Sequence, residues 1–249
     1  LANDREPTEA YGHGATDVRS LQLRGEYLYT ANGPGGLRIF DVANIDNKGR
    51  SERIVTAPVS PLGQRAYVDT EYATSVALPT NMPIDPTRRQ NPANQEQPWN
   101  PIYRYAFVSD LYEGLVVVDV TNLGDGDPMN NFVERVATFN PDGVLDGAIF
   151  VTIAGDWAYV LCKRGLVVLD ISDPLAPSVA TQVGAPDLID PTSITIQFRY
   201  AFVTDAEGLK VLDVTWPDRA KLVASLPIAE AKDVYVARTY AYVAAGSQG

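Results

Sequence analysis

Cysteine is all but absent from these 249 residues. The single thiol, Cys162, has no partner in the sequence for a disulfide, a CxxC pair or a CxxCH haem attachment. It falls in the apolar phrase WAYVLC, where a small buried thiol packs well and is expected to be inert. Histidine is as scarce. A serine or cysteine triad would have to use His13, which lies in AYGHGATD with no nucleophile motif beside it. His13 is read as a loop residue; its alternative role is ligation of a metal or haem iron belonging to another segment. No apolar run approaches the roughly 20 residues needed to span a bilayer, so no membrane span is expected. Basic residues are the scarcer charge, 20 against 31 acidic, and the formal net charge of −11 repels phosphate backbones. Nucleic acid is therefore not an expected partner. The opening residues LANDREPTEAYGHG lack a charged start followed by an apolar stretch, so the numbering is expected to begin after processing or inside a longer chain.

What the sequence has is a repeat. GLRIFDVAN at 36, GLVVVDVTN at 114, GLVVLDISD at 165 and GLKVLDVTW at 208 are variants of one phrase. A second phrase precedes each: YLYT at 27, YAFV at 105, WAYV at 157 and YAFV at 200, with a fifth copy, YAYV, at 240. Alternating large and small residues followed by a Gly-containing turn predict a β-hairpin in every copy. A further β-prone stretch lies before each aromatic strand, giving inner strands expected at 18–23, 74–78, 148–153, 193–197 and 233–237. A fourth strand follows, as in SVATQV from 178 and KLVASL from 221. Trp157 and Tyr200 are 43 residues apart and Tyr200 and Tyr240 are 40 apart, the period of a four-stranded propeller blade. The expected fold is all-β, a β-propeller of four-stranded antiparallel blades with about four and a half blades in this chain. Residues 1–15 form an N-terminal arm and 16–249 one propeller. Gly249 holds the place of the glycine that opens the next LxVxD strand, so the propeller is expected to continue in a longer chain.

The recurring residues have structural roles available to them. Gly36, Gly114, Gly165 and Gly208 stand where a hairpin turn calls for positive φ. Asp41, Asp119, Asp170 and Asp213 end the third strands, where a carboxylate accepts N–H bonds from the following turn. A catalytic group is needed once, not in every blade, so no catalytic residue is assigned. The aromatic pairs Tyr27/Tyr29, Tyr105/Phe107, Trp157/Tyr159, Tyr200/Phe202 and Tyr240/Tyr242 share one sheet face and are expected to pack between blades; a sugar-stacking platform is the alternative.

The phrases LVVVD at 115 and LVVLD at 166 resemble those of the LVIVD-repeat proteins, bacterial and archaeal β-propellers usually found outside the cytoplasm. The resemblance covers nearly everything from Thr16 onwards. It implies a periplasmic, cell-surface or secreted location and is almost silent on activity. NNFVERVATFNPDG, residues 130–143, is similar to LVIVD-repeat sequences within multihaem cytochrome-like polypeptides. On that implication this portion holds an electron-transfer assembly together, and haem is supplied by another segment or subunit.

Function on a repeat scaffold usually resides where the repeat breaks. Residues 79–101, PTNMPIDPTRRQNPANQEQPWNP, form a proline-rich insertion in the second blade. Trp99, Arg88 and Arg89 are its interaction candidates. Long turns follow the third strands of the first two blades, at 44–53 and 122–131. Connections one-to-two and three-to-four emerge on the same face of a meander, so all three segments are expected to gather there as the surface for a protein partner or self-assembly. Asp125 and Asp127, with Asp46, are weak calcium candidates, because neither turn has the downstream bidentate Glu of a calcium loop. The expected function is thus a non-enzymatic scaffold or interaction domain with no cofactor of its own except this calcium. The alternative is a small-ligand or calcium-binding propeller, or an enzyme using the central channel.

Overall fold

The computed structural model describes residues 17–25, 27–41, 55–56, 67–79, 101–124 and 132–249. The first sheet contains β1 (Ser20–Arg24), β2 (Tyr27–Ala31), β3 (Leu37–Asp41), β4 (Val55–Thr56) and β5 (Tyr67–Val68). The second runs β6 (Ala73–Ala77), β7 (Tyr105–Asp110), β8 (Gly114–Asp119), β9 (Glu134–Phe139). The third is β10 (Phe150–Ala154), β11 (Trp157–Cys162), β12 (Gly165–Asp170), β13 (Ser178–Val183). The fourth is β14 (Ser193–Gln197), β15 (Tyr200–Asp205), β16 (Gly208–Asp213), β17 (Lys221–Pro227). A two-stranded sheet, β18 (Asp233–Ala237) and β19 (Tyr240–Ala244), follows. All pairings are antiparallel between sequence neighbours, apart from β5, which joins β3 beside β4. Helical structure among the described residues is confined to short 3-10 turns. The chain is therefore an all-β propeller of four-stranded blades.

The first strands are the innermost set: β1 lies against β6, β6 against β10, β10 against β14 and β14 against β18. Polar side chains tie these strands together across blades. Gln22 accepts from Leu78 N (2.8 Å) and donates to Leu78 O (3.1 Å), joining the first blade to the second. Thr74 Oγ1 bonds Ser109 Oγ (2.9 Å) and reaches Ala148 O in the next blade (2.9 Å). Thr192 repeats this two blades later, with Thr204 Oγ1 (2.8 Å) and Ala231 O (3.5 Å).

Apolar packing follows the same geometry. Tyr29 is buried with Val76, Ala106 and Val108 of the second blade. Phe107 is buried with Val151, Ala158 and Val160 of the third, and Tyr159 with Ile194, Ala201 and Val203 of the fourth. Each of these three aromatic strands thus presents a ring to the next blade, which removes a large apolar area from water. On the last sheet Tyr240 and Tyr242 are 67% and 59% exposed.

One regularity escapes the sequence pattern. The register between third and fourth strands shifts between Val117 and Val118, between Val168 and Leu169, and between Val211 and Leu212. These are equivalent positions, so an extra residue, Val136, Ala180 or Val223, bulges from the outer strand of each blade. In the first blade the partner of β3 changes at the same point, from Tyr67 opposite Arg38 to Thr56 opposite Phe40. The sequence between β4 and β5 thus enters where the other blades carry a bulge, a site at which pairing is already interrupted.

Candidate interaction face

The face holding the one-to-two and three-to-four connections is built from the starts of β2, β7, β11, β15 and β19 and from the third-strand aspartates. Asp119 Oδ1 accepts from Thr121 N (2.8 Å) and Thr121 Oγ1 (2.5 Å). Asp170 Oδ1 accepts from Ser172 N (2.9 Å). Asp213 Oδ1 accepts from Thr215 N (2.9 Å) and Thr215 Oγ1 (2.6 Å). Each carboxylate thereby closes the turn that follows its strand. Asp41 ends β3, but its side chain lies outside the described residues. The turn is also held by the main chain: Val120 N donates to Arg104 O (2.9 Å), Ile171 N to Asp156 O (2.9 Å) and Val214 N to Arg199 O (2.8 Å).

In two blades the residue before the aromatic strand is an arginine. Arg104 sits over the Tyr105 ring (5.9 Å to its centroid) and pairs with Asp119 (3.4 Å). Arg199 lies over Tyr200 (5.1 Å), and its charge helps hold Asp213 in its ionised form.

The Asp213 carboxyl titrates below its ordinary value, first through the Thr215 side-chain bond and then through the Thr215 backbone bond. A folded pKa below the unfolded one means the unfolded chain binds the proton more tightly. The stabilisation is therefore complete above the unfolded value of about 3.9 and lost as pH falls through the lower folded value. NMR titration of the Asp213 carboxyl carbon should give a midpoint below that of a model aspartate. Thr215→Val should move it upwards; an unchanged midpoint would show that the hydroxyl bond does not set it.

The opposite face carries a device that the repeat phrases did not reveal. Asp110 and Asp205, at the ends of the YAFVSD and YAFVTD strands, are essentially fully buried. Asp110 Oδ1 accepts from Tyr112 N and Glu113 N (both 2.9 Å), and Oδ2 accepts from Tyr72 N (2.6 Å). Asp205 Oδ1 accepts from Glu207 N (2.9 Å) and Gly208 N (3.0 Å), and Oδ2 accepts from Ile189 N (3.1 Å). One carboxylate thus closes the central hairpin and fastens it to the chain entering the same blade. Lys210, also buried, adds ion pairs to Asp205 (3.8 Å) and Glu207 (2.5 Å). In the third blade this place belongs to Cys162, whose thiol donates to Val144 O (3.6 Å) and whose pKa is pushed up by burial. The signal was available: extending the aromatic phrase by two residues puts an aspartate at 110 and at 205 in phase.

Gly36, Gly114, Gly165 and Gly208 have φ of 67°, 83°, 102° and 143°. His13, Asp46, Arg88, Arg89, Trp99, Asp125 and Asp127 lie outside the described residues, as do most of 44–53, 79–101 and 122–131. None of 44–53 is described; at the edges of the other two segments Pro101–Arg104 and Thr121–Gly124 form 3-10 turns, joined by a bond from Arg104 to Thr121 (3.2 Å). Among the described residues, no three His, Cys, Asp or Glu side chains form a group able to hold a metal ion. No helix there is long and apolar enough to cross a membrane.

No curated protein sequence matches the chain. Its similarity to solved structures is one of fold. A chain of the nidogen/laminin complex is 12% identical with a TM-score of 0.53, covering 91% of this chain and 71% of that one. A protein from Lactobacillus plantarum is 13% identical with a TM-score of 0.53, covering 84% and 55%. PorZ of Porphyromonas gingivalis, a bacterial surface component of the type-IX secretion system, is 17% identical with a TM-score of 0.52, covering 96% of this chain but only 25% of PorZ. Residues 15–47, 104–125 and 148–184 match the LVIVD repeat, so the first three blades carry that repeat within the propeller.

Proposed function

We propose that the chain is a non-enzymatic propeller scaffold of an extracytoplasmic assembly, docking a protein partner or a further copy through the face that bears 44–53, 79–101 and 122–131. The observation that carries this reading is the use made of the recurring polar side chains. Asp110, Asp119, Asp170, Asp205 and Asp213 each accept from backbone N–H groups of their own blades. They hold turns, which leaves contact to the departures from the repeat. PorZ, described as a surface component of a secretion system, and the nidogen/laminin complex lend support as examples of what similar folds do. Within this reading, the likeness of 130–143 to multihaem cytochrome-like polypeptides makes an electron-transfer complex or filament the assembly to test first, with haem supplied by another segment or subunit.

The test replaces residues 80–100 with a short Gly-Ser linker, which keeps Leu78 and Ile102, both buried. The expected variant retains its unfolding midpoint but loses the parent's assembly when the complex is isolated and imaged. Full retention of the assembly would remove the docking role of the insertion.

A further inference from the structure

On the same face the fourth blade departs from the first and third. In the tight turns between first and second strands, the residue with left-handed φ is Gly25 (60°) in the first blade and Gly155 (58°) in the third. In the fourth blade it is Phe198 (54°) and in the fifth Arg238 (55°); a charged side chain is at ease in water there, whereas Phe198 is an apolar ring with 89% of its surface exposed. A bulky side chain there is strained, and exposing it to water returns no hydrophobic stabilisation. Two folding costs at one residue, with no packing gain, mark a contact position.

The next residue, Arg199, lines a cavity of about 600 Å³ with Asp213, Thr215, Trp216, Arg219 and Lys221. Trp216 is 65% exposed. Arg219 stands over its ring at 5.8 Å and pairs with Asp218 at 3.3 Å. Three cations line the cavity with one carboxylate, Asp213, and Asp218 pairs with Arg219, which leaves a local cationic excess on a chain whose formal net charge is −11. Aromatic and arginine side chains together are the composition of interface anchors. The guanidinium groups of Arg219 and Arg199 already stand over the Trp216 and Tyr200 rings, which leaves less open ring face for a sugar to stack on.

We propose that this pocket docks an acidic peptide segment of a partner protein, its carboxylates bound by Arg199, Arg219 and Lys221 and an apolar side chain held between Trp216 and Phe198. The proposal rests on the scaffold reading for its partner class but uses a different part of the face from the proline-rich insertion.

The probe is a fluorescein-labelled peptide of one phenylalanine flanked by glutamates, titrated against the full chain at low salt. A peptide with lysines in place of the glutamates is the control, and polygalacturonate is the competing acidic glycan. The glutamate peptide should bind saturably and weaken with salt. The double variant Arg199→Glu, Lys221→Glu should weaken binding by about tenfold or more. Phe198→Gly should also weaken it while leaving the thermal midpoint unchanged or raised, since glycine adopts the left-handed turn without strain. Equal binding of the lysine peptide, parental affinity in the variants, or variant-sensitive binding of polygalacturonate without the peptide would each overturn the proposal. Such a failure leaves the insertion experiment free to succeed, and loss of the insertion's role leaves this one readable.

Discussion

Asp205→Ala should lower the unfolding free energy by about 3–5 kcal/mol, the cost of breaking a buried ion pair by removing one partner. The substitution strips acceptors from Ile189 N, Glu207 N and Gly208 N at once. It also leaves the buried Lys210 ammonium paired with Glu207, which is 55% exposed, with Asp187 acting on it from further off. Each buried donor left without an acceptor costs about 1–3 kcal/mol, so the hairpin and the chain entering the blade should loosen together. Asp170→Ala is the internal comparison: its carboxylate accepts from Ser172 N in an exposed turn, and its loss should cost about 1 kcal/mol. Denaturant titration with constant slope reads both. An Asp205→Ala variant no less stable than Asp170→Ala would show that the buried carboxylate does not hold the blade.

Gly165→Val should be nearly as damaging, at about 3 kcal/mol, for two reasons that add. Its φ of 102° is strained for any side chain and worse for a β-branched one. A Cβ would also run into Val183 O and approach Gly184 Cα to 2.8 Å, both backbone atoms that cannot swing aside. Gly208 repeats the arrangement against Leu226 O and Ile228 N. The repeat glycine is therefore fixed by the close approach of the outer strand's end as well as by the turn, and Gly165→Ala should already lose most of this stability.

Much of the architecture was legible because periodicity reports it directly. β2, β7, β11, β15 and β19 begin at Tyr27, Tyr105, Trp157, Tyr200 and Tyr240, where the aromatic phrases begin. The first strands were harder: β1 starts at Ser20 and β10 at Phe150, two residues after the β-prone stretches at 18 and 148, because an apolar pattern does not mark where pairing starts. The bulges at Val136, Ala180 and Val223 were invisible, since a bulge is a mismatch between two strands and no single strand records it. Buried Lys210 was equally hidden. It occupies the repeat position of Val116 and Val167, and only the fold brings Asp205 and Glu207 to its ammonium. On the contact face, repetition identified the turn-closing aspartates but could not identify Phe198 or Trp216, whose meaning comes from backbone conformation and exposure.

These differences divide the molecule into residues in phase, which hold the blades, and residues out of phase, to which the proposals above give contact. The most direct test measures thermal unfolding and binding of the glutamate peptide on the same samples of Asp205→Ala and Phe198→Gly. The division predicts that Asp205→Ala lowers the midpoint while the protein that remains folded binds as the parent does, and that Phe198→Gly keeps the midpoint and loses affinity. The reverse pattern, with Phe198→Gly destabilising the fold at parental affinity and Asp205→Ala losing binding at parental stability, would contradict it.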